Sequence, residues 1–207
     1  MLNLRLPIIE TERFILRPIR LEDAQDMFEY AGNALNLRYV WFPRHNDVIA
    51  SQQAIADHFL TRPDAGIPEA YCVVVKPKMK MIGTVDVHTV RFGDVGEIGY
   101  IINKRYWNRG FVSEAVQILI SVMFHHCGFQ RIEIQHNTEN SASQRVIEKA
   151  GFIYEGTYRK RKYEPELGYR CDYRFYGINI TDPIVAERYS KEHYEKSIRP
   201  QIRPSSR

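Results

Sequence analysis

The chain has 207 residues, of which 44% are hydrophobic and 26% charged, enough apolar material to close one core without metal or disulfide and too much for a disordered chain. Lysine and arginine exceed aspartate and glutamate by 29 − 25 = 4, a mild excess that excludes a nucleic-acid binder working by charge alone. Cys72, Cys127 and Cys171 fit no metal-ligand spacing and no disulfide framework, so a reducing compartment is expected.

Residues 1–14 lack the apolar core of a signal peptide. Residues 115–124, interrupted by Gln117 and Ser121, are about half a membrane span. The expectation is a cytoplasmic protein with no membrane partner.

In chain order, residues 13–19 read as a strand, with Phe14 and Leu16 alternating against Arg13, Ile15 and Arg17. Residues 21–30 read as a helix whose apolar positions are Leu21, Ala24, Met27, Phe28 and Ala31. A loop carrying Trp41, Phe42 and Pro43 leads to a helix over 48–60, ended by Pro63. Strands follow at 71–75, 82–90 and 97–102, joined by turns at 76–78 and 93–96, so they form antiparallel hairpins. The period then changes. Residues 111–124 form a helix apolar on most of its circumference and closed by Gly128, and 131–136 a strand with Ile132 and Ile134 on one face. Residues 140–150 form a helix with Val146, Ile147 and Ala150 inward, and strands are expected at 152–163 and 169–180. No internal repeat is present. Beyond Asp182 the chain turns polar, so the reading is a domain over 1–182 and a fraying tail over 183–207. Hairpins with one strand–helix–strand crossover indicate an α+β (mixed α/β) fold.

The segment Trp107-Asn108-Arg109-Gly110-Phe111-Val112 stands between a strand and the apolar helix, with glycine where the helix begins. A helix start presents unpaired N–H groups and partial positive charge to phosphate oxygens. Gly110 admits a pyrophosphate to the backbone and Arg109 adds a cation. One strand later comes Asn140-Ser141-Ala142-Ser143, opening a helix that ends Glu148-Lys149-Ala150-Gly151-Phe152, and Glu97-Ile98-Gly99-Tyr100 lies upstream. This series resembles the GNAT superfamily of acyl-CoA-dependent N-acyltransferases, and more narrowly the branch of Rim-type ribosomal-protein N-terminal acetyltransferases. The opening Glu10-Thr11-Glu12-Arg13-Phe14-Ile15-Leu16-Arg17 is similar to that branch too. The superfamily motif Gln/Arg-x-x-Gly-x-Gly/Ala reads here with Trp107 and Val112 at its outer positions, and Ile147 stands where many members carry a tyrosine acid.

The resemblance implies a mostly antiparallel twisted sheet with one splayed parallel strand pair and about four flanking helices. It implies acetyl-CoA as co-substrate, no metal, and transfer of acetyl to a primary amine such as a protein N-terminus or a small amine. The main chain of Tyr100, Ile101 and Ile102 would bond the pantetheine arm. Trp107, Asn108, Arg109, Gly110, Phe111 and Val112 would hold the pyrophosphate, and Asn140 would cap its helix and bond pantetheine. Glu97, in an otherwise apolar strand, is the expected base, its pKa raised by desolvation. Ser143 would assist thiolate departure. Trp41 and Phe42 would wall the acceptor groove or belong to the core.

His125-His126-Cys127 suits a helix C-terminus better than a metal. The run Arg159-Lys160-Arg161-Lys162 reads as a solvated strand edge that, in the family, borders the acceptor mouth. It would disfavour polyamines and suit a peptide with acidic residues after its amino end, or an acceptor attached to RNA. Nucleic acid is otherwise not expected as a partner, except through a ribosomal substrate. A catalytically silent acyl-CoA sensor and a ribosome- or RNA-binding protein are the alternative readings. Oligomeric state, a homodimer included, stays open.

Overall fold

The structure is a computed structural model describing residues 1–40, 42–165, 167–198 and 201–202. Its strands are β1 (Ile9–Glu10), β2 (Phe14–Pro18), β3 (Tyr71–Val75), β4 (Lys80–Arg91), β5 (Val95–Ile102), β6 (Arg131–Asn137), β7 (Ile153–Glu164) and β8 (Tyr169–Asn179). Its α-helices are α1 (Ala24–Ala31), α2 (Ala34–Leu37), α3 (Val48–Ala54), α4 (Phe111–Val122), α5 (Ser141–Lys149), α6 (Pro183–Arg188) and α7 (Lys191–His193). The four longest, α1, α3, α4 and α5, are the helices expected from periodicity. β1, α2, α6 and α7 are additions, each too short to produce a periodic signal.

One eight-stranded sheet runs in the order β1-β2-β3-β4-β5-β6-β8-β7. Its middle is covered on both faces, which is why β3, Tyr-Cys-Val-Val-Val, is apolar without alternation and buried throughout. One core lies between the sheet and α4 and includes Phe14, Leu16, Val85, Val87, Ile98 and Ile102. A second lies on the opposite face under α1 and includes Ile15, Cys72, Val74, Met27 and Ile101. Ile15, expected to alternate away from the core, is therefore buried in the second one.

β5 and β6 are the parallel pair, registered Val95↔Arg131, Gly96↔Ile132 and Glu97↔Glu133. Beyond Glu97 the two strands no longer pair with each other. β4 keeps hold of β5 as far as Ile102, and β8 keeps hold of β6 as far as Asn137. The strands thus part into a wedge open toward their C-terminal ends. Strand alternation turns Ile98, Tyr100 and Ile102 to the α4 face and Glu97, Gly99 and Ile101 to the α1 face.

The expected fraying tail is corrected over the described part of 183–198. Val185, Tyr189, Tyr194 and Ile198 are buried in the first core, and the turn Tyr194–Ile198 packs on α4. This cover is the reason α4 is apolar on most of its circumference. The segment looked polar because its four core residues are spaced singly among charges. The Tyr189 hydroxyl donates to the Ala150 carbonyl at 2.8 Å, and His125 Nε2 bonds the Tyr189 carbonyl at 2.5 Å. Tyr189→Ala is expected to cost about 3 kcal/mol or more. Calorimetry would then read a fall in Tm of about 6–12 °C, whereas an unchanged Tm would mean that this segment does not close the core.

Candidate active site

The loop between β5 and α4 is held by its neighbours in a shape suited to anions. Asn108 and Gly110 take left-handed backbone angles, φ 58° and 78°. Such angles suit glycine, so a side chain at 110 is strained whatever space surrounds it. The first helical bond runs from Glu114 N–H to the Gly110 carbonyl at 3.1 Å. The N–H groups of Phe111, Val112 and Ser113 therefore have no acceptor within the helix. Val112 packs its side chain against the first core.

Arg13, on the turn into β2, fixes the loop from below. Its guanidinium donates to the Arg109 carbonyl at 2.5 Å, pairs with Glu114 at 3.1 Å and lies 4.3 Å from the centre of the Phe111 ring. No local sequence signal gives that role, since the partners lie 96 and 101 residues away. Beside the loop is an open cleft of about 320 Å³ whose lining includes Lys76, Lys78, Arg105 and Arg109.

At the wedge the expected main-chain contacts divide. Asn103 N–H donates to the Ile82 carbonyl on β4. By alternation the backbone of Ile101 also faces β4, while that of Tyr100 faces the wedge. The Ile102 carbonyl accepts from Asn36 Nδ2 at 2.8 Å and from the Trp107 indole at 2.6 Å. Of the three residues, Tyr100 alone keeps both main-chain groups toward the gap, so Ile101 and the Ile102 carbonyl are corrected as pantetheine partners. Trp107 serves the strand end through its indole N–H.

Glu97 is 3% exposed at the apex of the wedge. Its Oε2 accepts from Arg91 at 2.6 Å and its Oε1 from Gln135 Nε2, with His88 3.9 Å away. Burial raises its pKa, as expected, but the bonds from Gln135 and Arg91 and the nearby positive charge outweigh burial. The carboxyl is held below the ordinary carboxylate range, which corrects the expected upward shift. Because the folded pKa is depressed, the stabilisation from Glu97 is complete above the unfolded pKa of about 4.3. It is lost as pH falls through the lower folded value. Acid-unfolding curves should show Glu97→Gln with a shallower loss of stability below about pH 4 than the wild type. Curves of equal slope would contradict this pairing.

Tyr100 and Ser143 meet across the wedge. Ser143 lies in the first turn of α5, and the two hydroxyl oxygens are 2.8 Å apart. Asn140 caps α5 as expected, its Oδ1 accepting from Ser143 N–H at 3.0 Å. Burial pushes the Tyr100 phenol well up, against a smaller opposing effect of Ser143. Ile147, at the position of the family's tyrosine, is completely buried in the first core.

On the α1 face, Phe42 packs half-buried against the second core with its ring 5.7 Å from that of His45. Trp41 lies outside the described residues. The basic run is not a plain strand edge. The β7–β8 register passes from Tyr158↔Tyr173 to Lys162↔Cys171, so residues 159–161 bulge outward. Lys162 turns the other way, half-buried, with Nζ 4.9 Å from the Tyr173 ring centre. His126 bonds Asn3 and the Arg5 carbonyl, and among the described residues no group of three His, Cys, Asp or Glu could hold a metal ion. Among the described residues no helix is long and apolar enough to cross a membrane.

Residues 13–153 match the model of the acetyltransferase (GNAT) domain. The chain belongs to the GNAT acetyltransferase family. It is 32% identical over 162 residues to an uncharacterized N-acetyltransferase, YoaA, of Bacillus subtilis, covering 76% of this chain and 89% of that protein. It is 30% identical over 172 residues to the uncharacterized N-acetyltransferase p20 of Bacillus licheniformis, covering 81% and 93%. Solved GNAT structures of the same fold include the ribosomal L7/L12 α-N-protein acetyltransferase RimL in complex with coenzyme A, with TM-score 0.75 and 18% identity over 83% of this chain and 97% of that one. The ribosomal-protein-S5-alanine acetyltransferase from Vibrio fischeri superposes with TM-score 0.73 and 24% identity over 84% and 97%. These two solved structures share the fold of this chain, and that fold accounts for the parallel strand pair at which the sheet splits.

Proposed function

We propose that this GNAT protein transfers the acetyl group of acetyl-CoA to the nitrogen of a primary amine, through a ternary complex at the β5–β6 wedge. The wedge is the observation that carries the reading. It leaves the main chain of Tyr100 free to pair with an extended amide-bearing arm, and it opens through the sheet between the two helical layers. The pyrophosphate lies on the N–H groups of Phe111, Val112 and Ser113, with Gly110 clearing the approach and Arg109 adding charge. Lys76, Lys78 and Arg105 extend the cationic surface for the remaining phosphate. The amine enters from the α1 face, opposite the side on which α4 and α5 hold CoA.

In the reaction the amine nitrogen forms a bond to the thioester carbon, and the C–S bond breaks with its electron pair on sulfur. The nitrogen gives up its proton through water to the Glu97 carboxylate, which passes it on to solvent. The sulfur gains a proton from the Tyr100–Ser143 hydroxyl pair. The Rim-type neighbours favour the amino terminus of a polypeptide as acceptor. Thermal unfolding with and without acetyl-CoA tests the cofactor half of this reading. Ligand at about 100 times its Kd adds about 2.7 kcal/mol, or about 5–10 °C in Tm. Such a shift, not reproduced by ATP, is the expected result, and no shift at millimolar acetyl-CoA would overturn it.

A further inference from the structure

Three buried polar atoms on the α1 face are left without partners, and together they have the pattern of a ligand. Gln135 and Asn137 are two residues apart on β6 and so share a face, just past the point where β6 leaves β5. Gln135 spends its Nε2 on the Glu97 carboxylate, which can only accept, and this fixes the amide so that Oε1 is the free atom. Asn137 spends its Oδ1 on Glu139 N–H at 2.9 Å, which leaves Nδ2 as the free donor. Glu164, at the end of β7, is 1% exposed, and its Oε1 makes no hydrogen bond. Gln135 Oε1 and Asn137 Nδ2 are likewise buried and unpartnered.

The register brings these residues to one place. Asn137 pairs with Tyr173 on β8, the Tyr173 ring carries Lys162 Nζ, and Glu164 follows Lys162 by two residues on the same face. Asn137 Nδ2 stands close enough to the Glu164 carboxyl to act on it as a hydrogen-bond donor and lower its pKa, but Nδ2 and Oε1 do not reach full hydrogen-bond geometry. Burial holds the Glu164 carboxyl above its ordinary pKa, with the Lys162 ammonium acting the other way. Unpaired buried polar groups cost free energy, and such a cost is characteristic of a binding site.

Resting on the proposed amine transfer, we infer that Glu164, Asn137 and Gln135 form the acceptor subsite and that it selects a primary ammonium adjacent to a carbonyl, the aminoacyl group. Glu164 Oε1 and Gln135 Oε1 accept from the ammonium and from a neighbouring amide N–H, and Asn137 Nδ2 donates to the carbonyl. A polyamine has two or more cations to offer the acceptors but no acceptor for Asn137, so the donor would stay unpaired in that complex. Lys162 adds a repulsive charge beside the same subsite, which disfavours a second cation on the acceptor.

The test uses the intact chain with acetyl-CoA and two probes, a serine-initiated peptide amide with a free amino end and spermidine. The wild type should favour the peptide by at least tenfold in kcat/KM. Glu164→Gln should raise the peptide KM about tenfold or more, keep kcat within about threefold, and leave the KM for acetyl-CoA unchanged. Its ligand-free Tm should not fall, because a carboxyl with an unpaired oxygen is being replaced. Unchanged peptide KM, or a lower Tm with unchanged kinetics, would make Glu164 structural and overturn the inference while leaving acetyl transfer standing. Should Glu164→Gln fold poorly, the wild-type preference decides: spermidine acetylated as well as the peptide overturns the subsite. A protein that binds acetyl-CoA and acetylates neither probe overturns the proposed function, and this inference with it.

Discussion

Gly110→Glu should abolish the stabilisation of this protein by acetyl-CoA while leaving the free protein folded. Three effects act together at this position. The backbone angle φ 78° disfavours any residue with a Cβ by about 1–2 kcal/mol. The new carboxylate would stand at the N–H groups on which the pyrophosphate is to rest, setting like charges a few ångströms apart. It would also compete for the helix start and for Arg109. The expected readout is loss of the whole ligand-induced rise of about 5–10 °C in Tm. The ligand-free Tm should fall by only a few degrees. Gly110→Ala separates the causes, since it brings the strain without the charge and should retain part of the shift. A full shift in Gly110→Glu would mean that the phosphates bind elsewhere.

Tyr100→Phe is expected to lower kcat about 100-fold, within the range usual for the loss of a general acid, with acetyl-CoA affinity unchanged. The phenol is buried and its pKa is raised, so it stays protonated through neutral pH and serves as a donor. Its partner Ser143 stands 2.8 Å away on the other side of the wedge. A departing thiolate, whose conjugate acid has a pKa of about 8.5 in ordinary thiols, needs a donor within reach as the C–S bond breaks. Phenylalanine keeps the ring and the main-chain pairing and removes only the hydroxyl. Ser143→Ala should lower kcat in the same direction and less far, because the phenol remains. A Tyr100→Phe enzyme within threefold of wild type would remove the hydroxyl pair from the reaction and leave solvent to protonate the sulfur.

The fold was readable in the sequence where periodicity is long and local. The 12-residue α4 and the apolar β3 announce themselves, and Gly110 marks the helix start that the structure puts beside the wedge. The site residues were readable as positions but not as environments. Glu97 looked like a desolvated carboxylate because its strand neighbours are apolar. Arg91 lies across the hairpin turn and Gln135 is 38 residues away, and these two decide the direction of its pKa. Arg13 stayed hidden for the same reason, since its partners belong to a loop about a hundred residues on. Tyr100 was legible only as main chain, because nothing local says that its hydroxyl will meet Ser143. The packing of residues 183–198 depends on α4 needing a cover, a demand that appears only when the helix is seen against the sheet.

The most direct test of the account is to incubate the purified protein with acetyl-CoA and peptides carrying free amino ends. Release of the CoA thiol would be followed, and the acetyl group located by fragmentation mass spectrometry. Thiol release matched one to one by acetyl on the peptide α-nitrogen, lost in Tyr100→Phe, is the predicted result. Acetyl-CoA that binds and stabilises the protein but yields neither thiol nor acetylated peptide would contradict it, and would identify the wedge as the ligand site of a catalytically silent acyl-CoA sensor.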